Sequence, residues 1–207
     1  MTDSETDSTK RAEPVVAGLL LAAGGGRRLG GRPKALLEHR GRPLAEYALH
    51  ILREGGCGPV HVVLGAEAAE VGQRVDLSGS TPVDNPDWEQ GMGSSLRAGL
   101  ASLSTSGADA ALVLLVDQPG IGAEAVARVR GACRSRSSLV AAAYDGRRGH
   151  PVLFGADRWG DIASSAVGDR GARDYLKAHE EEITLVECSD VAQAYDIDTV
   201  DDLIHLE

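Results

Sequence analysis

The sequence predicts an α/β protein with a three-layer α/β/α architecture, in which a mostly parallel sheet has an antiparallel excursion towards its end. The chain has 207 residues, 43% of them hydrophobic, which is enough to bury one sizeable core. Short apolar runs of strand length alternate with longer stretches of helical spacing. The strand-like runs are continuously apolar, as expected when helices cover both faces of a parallel sheet. Functional loops are therefore expected at the carboxyl ends of the strands.

The first two thirds of the chain alternate regularly between predicted strands and helices. Residues 1–13 are polar and without periodicity, so we interpret them as a disordered tail, and we predict a single domain over residues 14–207. The predicted strands are Val15–Leu21, Val60–Leu64, Ala111–Val116 and Leu139–Tyr144. The predicted helices between them are Leu44–Arg53, Ala66–Arg74, Ser94–Leu103 and Ala123–Cys133.

After Tyr144 the rhythm changes. Asp145-Gly146 is a tight-turn dipeptide before the strand-like run Pro151–Phe154, which predicts a hairpin and hence the antiparallel excursion. The remaining predicted elements are helices at Asp157–Ala166 and Ala172–His179, a strand at Ile183–Glu187, and a closing helix at Asp198–Leu206 with acidic residues in its first turn.

Charge and composition exclude several classes of function. A net charge of −10 argues against nucleic-acid binding, which needs a basic surface. No apolar run approaches the ~20 residues of a membrane span, and the acidic start is unlike a secretory signal, so we expect a cytoplasmic protein that binds no membrane. Cys57, Cys133 and Cys188 are scattered and lack C-x-x-C spacing, so we predict buried thiols rather than disulfides or a zinc site.

A glycine-rich, basic loop follows the first strand and extends from Leu21 to Lys34. Glycines let backbone N–H groups approach an anion, and Arg27, Arg28 and Lys34 supply the positive charge that triphosphate oxygens need. The loop is not a Walker loop, because Ala35 follows Lys34 in place of serine or threonine. Nor is it a dinucleotide loop, because Leu29 stands where the third glycine belongs. A flexible surface loop without a ligand is the alternative interpretation.

An aspartate, Asp117, follows the predicted strand Ala111–Val116 directly. At the rim of a parallel sheet its carboxylate can bind Mg²⁺ through hard oxygen. The alternative for Asp117 is a turn or capping residue before Pro119.

The glycine-rich loop resembles the start of the molybdenum-cofactor nucleotidyltransferase family, whose members carry Leu-Ala-(Ala/Gly)-Gly-x-(Ser/Gly)-x-Arg-(Met/Leu)-Gly followed by a lysine. Further segments resemble that family in the same order along nearly the whole folded chain. They are Asn85-Pro86, Gly91-Met92-Gly93-Ser94-Ser95-Leu96, Asp117-Gln118-Pro119, Gly149-His150-Pro151-Val152-Leu153-Phe154, Gly168-Asp169-Arg170-Gly171-Ala172-Arg173 and Asp196-Ile197-Asp198. The resemblance implies a Rossmann-like nucleotide-diphospho-sugar transferase fold.

The resemblance also implies roles for individual residues. The nucleotide would be bound by Leu21, Ala22, Ala23, Gly24, Gly25, Gly26, Lys34, Asn85, Gly93, Ser94 and Ser95. The catalytic residues would be Lys34, Arg27 and Asp117, and Mg²⁺ would be held by Asp117 and Asp198. The acceptor would be bound by His150, Asp169 and Arg173. Structural roles are the alternatives, namely helix capping for Ser94, Ser95 and Asp198 and packing for His150.

The implied reaction is attack by a phosphate oxygen of a small acceptor on the α-phosphorus of a nucleoside triphosphate, with pyrophosphate as the leaving group. Ala22-Ala23 and Pro33-Lys34 resemble the cytidylyl branch of the family, which works on molybdopterin, whereas the guanylyl branch tends to have Gly-Gly and Asp-Lys. We therefore expect CTP rather than GTP as donor, molybdopterin as acceptor, and a transient contact with a molybdoenzyme. The alternatives are an NAD(P)H-dependent oxidoreductase of the nicotine-blue type, a sugar-phosphate nucleotidyltransferase, and a non-catalytic cofactor chaperone.

Overall fold

The computed structural model describes residues 13–206, so almost all of the predicted polar tail lies outside the described residues. The strands are β1 Val16–Leu21, β2 Glu38–His39, β3 Arg42–Pro43, β4 Val60–Leu64, β5 Thr81–Asp84, β6 Ala110–Leu115, β7 Leu139–Tyr144, β8 Arg147–Gly155 and β9 Thr184–Glu187. The α-helices are α1 Leu44–Glu54, α2 Ala68–Arg74, α3 Met92–Leu103, α4 Ala123–Gly131, α5 Trp159–Ser165 and α6 Arg173–Ala178.

Seven of these strands form one sheet with the order β5-β4-β1-β6-β8-β7-β9. β1 pairs in parallel with both β4 and β6, β4 with β5, and β7 with β9. β8 runs antiparallel to both of its neighbours, β6 and β7. The predicted mostly parallel sheet with an antiparallel excursion is therefore confirmed. β2 and β3 form a separate, two-residue antiparallel ribbon.

The sheet separates two apolar layers, because successive side chains of a strand point to opposite faces. In β6, Leu112 and Leu114 pack in one layer, which the helices α1, α2 and α4 cover. Val113 and Leu115 pack in the other layer, which α3, α5 and α6 cover. β6 is buried on both faces, which is why all of its residues are apolar. The three-layer architecture predicted from the sequence is thus confirmed.

A glycine sets how closely α3 approaches the sheet. A Cβ added to Gly99 would lie 2.6 Å from Leu19 Cδ1, a separation that real Cβ atoms do not show. Glycine at this position therefore lets the helix lie directly against β1. This contact brings the first turn of α3 to the carboxyl end of β1, where the glycine-rich loop begins.

The end of the chain differs from the prediction. Asp198–Leu206 is not a regular helix, because the structure has a 3₁₀ helix only over Asp201–Leu206. Asp202 Oδ2 accepts hydrogen bonds from the backbone N–H groups of Asp198 and Thr199 and from the Thr199 hydroxyl. These are the free N–H groups at the start of a helix, and an acidic side chain that reaches back to them marks Thr199 as the helix N-cap. Asp198 therefore lies in an irregular segment before the helix rather than in its first turn.

Two further expectations concern membranes and thiols. Within residues 13–206, none of the helices has the combination of length and apolarity that a bilayer span requires. Cys57, Cys133 and Cys188 are free and buried. Burial raises the pKa of the Cys57 thiol to about 12, so the thiol stays protonated near neutral pH.

Candidate active site

A cleft of about 420 Å³ lies at the carboxyl ends of β1 and β6. This is the edge at which open α/β sheets bind their ligands. The glycine-rich loop forms one wall, and the segment that leads into α3 forms another. Among its lining residues are Leu21, Ala23, Gly24, Gly25, Gly26, Arg27, Arg28, Lys34, Trp88, Ser95, Asp117 and Asp198.

The glycine-rich loop is folded back on itself. The carbonyl of Gly26 accepts hydrogen bonds from the N–H groups of Leu29 at 2.8 Å and Gly31 at 3.0 Å. Gly26 has φ +58°, and a Cβ at this position would collide with the carbonyl oxygen of Arg32. The Leu29 side chain anchors the loop in the apolar layer below, with 1% of its surface exposed. Only glycine permits this tight turn, which carries the basic side chains around the cleft.

Lys34 lies between two carboxylates at the floor of the cleft. Its Nζ donates to Asp117 Oδ2 and to Asp198 Oδ1, each at 2.6 Å. Arg28 donates to the other oxygen of Asp198, Oδ2, at 3.1 Å. Asp117 follows β6, and its carbonyl accepts the N–H of Ile197 at 2.8 Å, which holds Asp198 opposite Asp117. Three segments far apart in the sequence thus form one charged cluster.

The cluster perturbs the titration of its members. Burial disfavours the Lys34 ammonium, but Asp117 and Asp198 outweigh that effect and hold the Lys34 pKa above its ordinary value. Burial raises the pKa of Asp117 although Lys34 opposes it. The hydrogen bond from Lys34 lowers the pKa of Asp198 despite partial burial. Lys34 is therefore charged at neutral pH, and the more exposed carboxylate, Asp198, is the more readily ionised of the two.

A buried amide organises the opposite wall. Asn85 Nδ2 donates to the hydroxyls of Ser94 at 2.9 Å and Ser95 at 3.0 Å. The Ser94 hydroxyl has one proton to donate, which the backbone carbonyls of Gly91 and Asp87 share, each with its oxygen 2.9 Å from Oγ. This network fixes the first turn of α3 beside the cleft, and Ser95 reaches the lining. Ser94 and Ser95 lie inside the helix, whose N-cap is Gly91.

The predicted nucleotide-binding residues occupy two positions in the structure. One group lines the cleft: Leu21, Ala23, Gly24, Gly25, Gly26, Lys34 and Ser95. The other group lies behind the lining: Ala22, Asn85, Gly93 and Ser94. Ala22 packs in the apolar layer on the far side of the sheet, because alternate residues of an extended segment point to opposite faces. The second group shapes the wall rather than facing the cleft.

A second pocket of about 320 Å³ adjoins the first. It contains all three predicted acceptor-binding residues, His150, Asp169 and Arg173, over an apolar floor that includes Val113 and Phe154. The two pockets share Leu21, Met92, Leu115 and Asp169 in their linings. The two pockets are therefore continuous at this edge of the sheet.

His150 is neutral at physiological pH. Burial, together with the nearby Arg148, lowers the pKa of His150 to about 4, and the attraction of Asp196 only partly opposes this. The ring can therefore offer one donor and one acceptor nitrogen to a bound molecule.

Two side chains at the site have contacts that the sequence analysis did not assign. Arg28, rather than Arg27, bonds to the charged cluster. The arginine of the quoted family motif also falls at position 28, and this was the signal that pointed to Arg28. Trp88 lines the cleft beside Gly25. Trp159 packs against the second apolar layer, and its Nε1 donates to the carbonyl of Phe154 at 2.9 Å.

Gln118 and Asp196 form a further pair in the lining of the second pocket. Gln118 Nε2 donates to Asp196 Oδ1 at 2.7 Å. The carboxylate accepts only, so it fixes the orientation of the amide and directs Oε1 away from Asp196. That oxygen is buried and has no hydrogen-bond partner within the part of the chain that the structure describes. Both residues lie in segments quoted for the family resemblance, Asp117-Gln118-Pro119 and Asp196-Ile197-Asp198, but the contact between them was not predicted.

The charged cluster also fits a divalent cation. Both carboxylate oxygens lie 2.6 Å from one ammonium nitrogen, so they cannot be further apart than twice that distance. Mg²⁺ is usually held by one or two carboxylates together with substrate phosphates rather than by a complete protein cage. Residues 13–206 contain no group of three or more His, Cys, Asp or Glu side chains arranged for a metal.

The fold and the site define a class of protein, namely a Rossmann-like nucleotidyltransferase fold with a glycine-rich loop facing a lysine–aspartate cluster. Residues 18–183 match the family model described as a MobA-like NTP transferase domain, and the chain belongs to this family. The resemblance stated from the sequence motifs is confirmed.

Two relatives of known sequence show the range of the similarity. The chain is 42% identical over 200 residues to nicotine blue oxidoreductase from Paenarthrobacter nicotinovorans. The matched region covers 93% of this chain and 97% of the relative. It is 36% identical over 132 residues to a probable molybdenum cofactor guanylyltransferase from Opitutus terrae, covering 64% of this chain and 62% of the relative.

Solved structures agree with the fold. A homologue of Mycobacterium tuberculosis Rv0371c from Mycobacterium sp. strain JC1 superposes with a TM-score of 0.80 at 30% identity, covering 92% of this chain and 94% of that chain. Rv0371c from Mycobacterium tuberculosis H37Rv, solved in complex with manganese, has a TM-score of 0.73 at 25% identity, covering 92% of this chain and 97% of that chain.

Proposed function

We propose that the protein transfers CMP from CTP to a small phosphorylated acceptor, molybdopterin, with release of pyrophosphate and with Mg²⁺ as cofactor. The observation that carries the proposal is the position of Lys34 between Asp117 and Asp198, with Nζ 2.6 Å from each carboxylate at the floor of the cleft. Membership of the MobA-like NTP transferase family supports nucleotide transfer as the reaction class.

The residues of the cleft would act mainly through positioning and charge. Backbone N–H groups of the glycine-rich loop would bind the triphosphate, and Lys34, Arg27 and Arg28 would neutralise its oxygens. The attacking oxygen belongs to a phosphate that is already anionic, so the protein need not remove a proton from it. Asp117 and Asp198 would hold Mg²⁺, which supplies further charge neutralisation when bound. The loss of one such preorganised charge typically costs about 2.7–4 kcal/mol of transition-state stabilisation.

The acceptor would occupy the second pocket. The apolar floor of this pocket suits a flat ring system, while Arg148, Arg170 and Arg173 lie in its lining and can pair with an anionic group. Its shared boundary with the first pocket supports in-line attack, because the acceptor phosphate can approach the α-phosphorus from that side. Delivery of the product by transient contact with a molybdoenzyme is part of this proposal.

The choice of CTP rests on Ala22-Ala23 and Pro33-Lys34, which resemble the cytidylyl branch of the family. Ala23 lines the cleft, so its small side chain is placed to shape the base pocket. GTP is the alternative donor, and the relatives named for molybdenum cofactor chemistry are guanylyltransferases.

A second candidate function has a specific observation in its favour. The relative that is 42% identical over 93% of this chain is named nicotine blue oxidoreductase. The corresponding activity would be NAD(P)H-dependent reduction of a flat heterocycle. The charged cluster favours transfer chemistry instead, since hydride transfer does not require a lysine between two carboxylates.

One experiment separates these candidates. The protein is incubated with Mg²⁺ and either CTP or GTP, with molybdopterin or a sugar phosphate as acceptor, and pyrophosphate release is followed. In a separate incubation with NADPH and a flat heterocycle as electron acceptor, nicotinamide absorbance is followed. Pyrophosphate release that is faster with CTP than with GTP supports the proposal. Faster release with GTP would contradict the choice of nucleotide. NADPH oxidation without pyrophosphate release from either nucleotide would contradict nucleotide transfer itself, and release only with a sugar phosphate as acceptor would contradict molybdopterin.

A further inference from the structure

The carboxylates at the floor of the cleft are already paired with protein cations. Asp198 uses both of its oxygens, Oδ1 with Lys34 at 2.6 Å and Oδ2 with Arg28 at 3.1 Å. Asp117 uses Oδ2 with Lys34 at 2.6 Å. The two residues proposed to bind the metal are therefore the counter-ions of two basic side chains from the glycine-rich loop.

This arrangement opposes the binding of a divalent cation by itself. Two carboxylates and two basic groups sum to no net charge, so the cluster attracts a cation only weakly. A metal ion that bridged the two carboxylates would sit at about 2.1 Å from each oxygen. The Lys34 ammonium contacts both oxygens from 2.6 Å and fills that space, so the ammonium and the metal ion exclude one another.

The same two cations face the proposed triphosphate site. Arg28 and Lys34 both line the cleft next to Gly24, Gly25 and Gly26. The Arg28 side chain is 69% exposed and can turn towards a ligand without unpacking. The Lys34 side chain is long and flexible, and its backbone is tied to the loop by a hydrogen bond to the Gly24 carbonyl at 3.4 Å. A triphosphate bound along the loop would compete with the carboxylates for both cations.

We propose that Arg28 and Lys34 are exchangeable counter-ions that couple metal binding to nucleotide binding. In the absence of nucleotide, Arg28 and Lys34 neutralise Asp117 and Asp198. When a triphosphate binds, its oxygens replace the two carboxylates as partners of these basic side chains. The freed carboxylates then accept the divalent cation. This inference rests on the proposed nucleotide site, but it concerns binding and not turnover. Because coupling between two ligands is reciprocal, the metal must strengthen nucleotide binding by the same factor.

The test measures the binding of Mn²⁺ to the full-length protein by the loss of the free-ion paramagnetic resonance signal. Titrations are run with and without a non-hydrolysable CTP analogue, and the Mn²⁺ that the analogue binds in the absence of protein is subtracted. Lys34→Met and Arg28→Met are compared with wild type. Arg32→Met is the matched control, because Arg32 lies in the same loop but donates to the Leu29 carbonyl and to no carboxylate of the cluster.

We expect wild-type protein to bind Mn²⁺ about tenfold more tightly with the analogue than without it, a coupling of ordinary size. Lys34→Met should bind Mn²⁺ more tightly than wild type in the absence of nucleotide and lose most of the gain on adding the analogue. Arg28→Met should shift in the same direction by a smaller factor, and Arg32→Met should behave as wild type.

Three outcomes would overturn the inference. They are equal Mn²⁺ affinity of wild type with and without the analogue, failure of both variants to gain nucleotide-independent affinity, and an equal gain in Arg32→Met. Circular dichroism shows whether each variant is folded. If Lys34→Met does not fold, Arg28→Met still provides the test, because Arg28 is at an exposed position. If the coupling is found but no pyrophosphate is released with any acceptor, the proposed function fails while this inference stands.

Discussion

Lys34 and Asp117 are 83 residues apart in the sequence, yet their side chains meet with Nζ 2.6 Å from Oδ2. The contact joins the end of the glycine-rich loop to the carboxyl end of β6, which is a central strand of the sheet. It fixes the two halves of the candidate site relative to one another.

Removal of either partner should abolish transfer. We expect Lys34→Ala and Asp117→Ala each to lower the rate of pyrophosphate release by about 10²–10³, since each removes a preorganised charge at the reacting phosphates. Lys177→Ala, on the exposed face of α6, is the matched control and should keep the wild-type rate. Wild-type turnover in either cleft variant would show that the residue is not catalytic.

The stability of the protein should depend on pH through His150. The pKa of His150 is lowered from 6.5 to about 4 in the folded protein. Between these pH values His150 binds a proton in the unfolded chain but not in the folded protein. The contribution of His150 to the free energy of unfolding is therefore fully present above about pH 6.5 and is lost as the pH falls towards 4. His150→Gln should lose less stability over that range. Urea unfolding at pH 7 and pH 5 measures the difference, and an identical loss in wild type and variant would contradict a His150 ring that is neutral in the folded protein.

Asn85 should support both stability and nucleotide binding. Asn85→Ala leaves the hydroxyls of Ser94 and Ser95 without their donor inside the protein, which should cost about 1–3 kcal/mol of unfolding free energy. The KM for the nucleotide should rise because the first turn of α3 loosens. Ser104→Ala, at an exposed hydroxyl, is the control and should change stability by no more than about 0.5 kcal/mol. If Asn85→Ala changed the unfolding free energy no more than Ser104→Ala does, the proposed stabilising role of the Asn85 hydrogen-bond network would be wrong.

Gln118 should influence the acceptor and not the nucleotide. We expect Gln118→Met to raise the acceptor KM about tenfold, the factor that corresponds to roughly 1.4 kcal/mol, because it removes the hydrogen bond that fixes Asp196 in the second pocket. The nucleotide KM should stay within about twofold, a change well under one hydrogen bond. Gln73→Met, on the exposed side of α2, is the matched control. If the KM values for the acceptor and for the nucleotide rose together, Gln118 would act by positioning Asp117 and not by recognising the acceptor.

The central strands were predictable because of their burial. β4 and β7 have the predicted bounds, since a strand buried on both faces is almost entirely apolar, with the buried His61 of β4 as an exception. β5 was not predicted. It is an edge strand with exposed residues and contains Pro82, so neither apolar periodicity nor strand propensity marks it. The wrong prediction of a regular helix from Asp198 has a local cause, because the Asp202 side chain caps the backbone at Thr199 and only a 3₁₀ helix follows, over Asp201–Leu206.

The site was predictable only in part. The rule that ligands bind at the carboxyl ends of parallel strands was enough to select the glycine-rich loop and Asp117. It could not select Asp198, which lies 164 residues from Lys34 and is held in place by the backbone bond between Ile197 and Asp117. Asp198 came from the family resemblance. The role of Arg28 needed side-chain geometry, because adjacent arginines in an irregular loop differ only in the direction they point.

The measurement that tests the account most directly is a crystal structure of the protein with Mg²⁺ and a non-hydrolysable CTP analogue. The account predicts the triphosphate along Gly24–Gly26, with the cation bound by Asp117 and Asp198 and with Lys34 moved onto phosphate oxygens. A nucleotide bound elsewhere, or bound in the cleft while Lys34 stays between the two carboxylates and no cation contacts them, would contradict it.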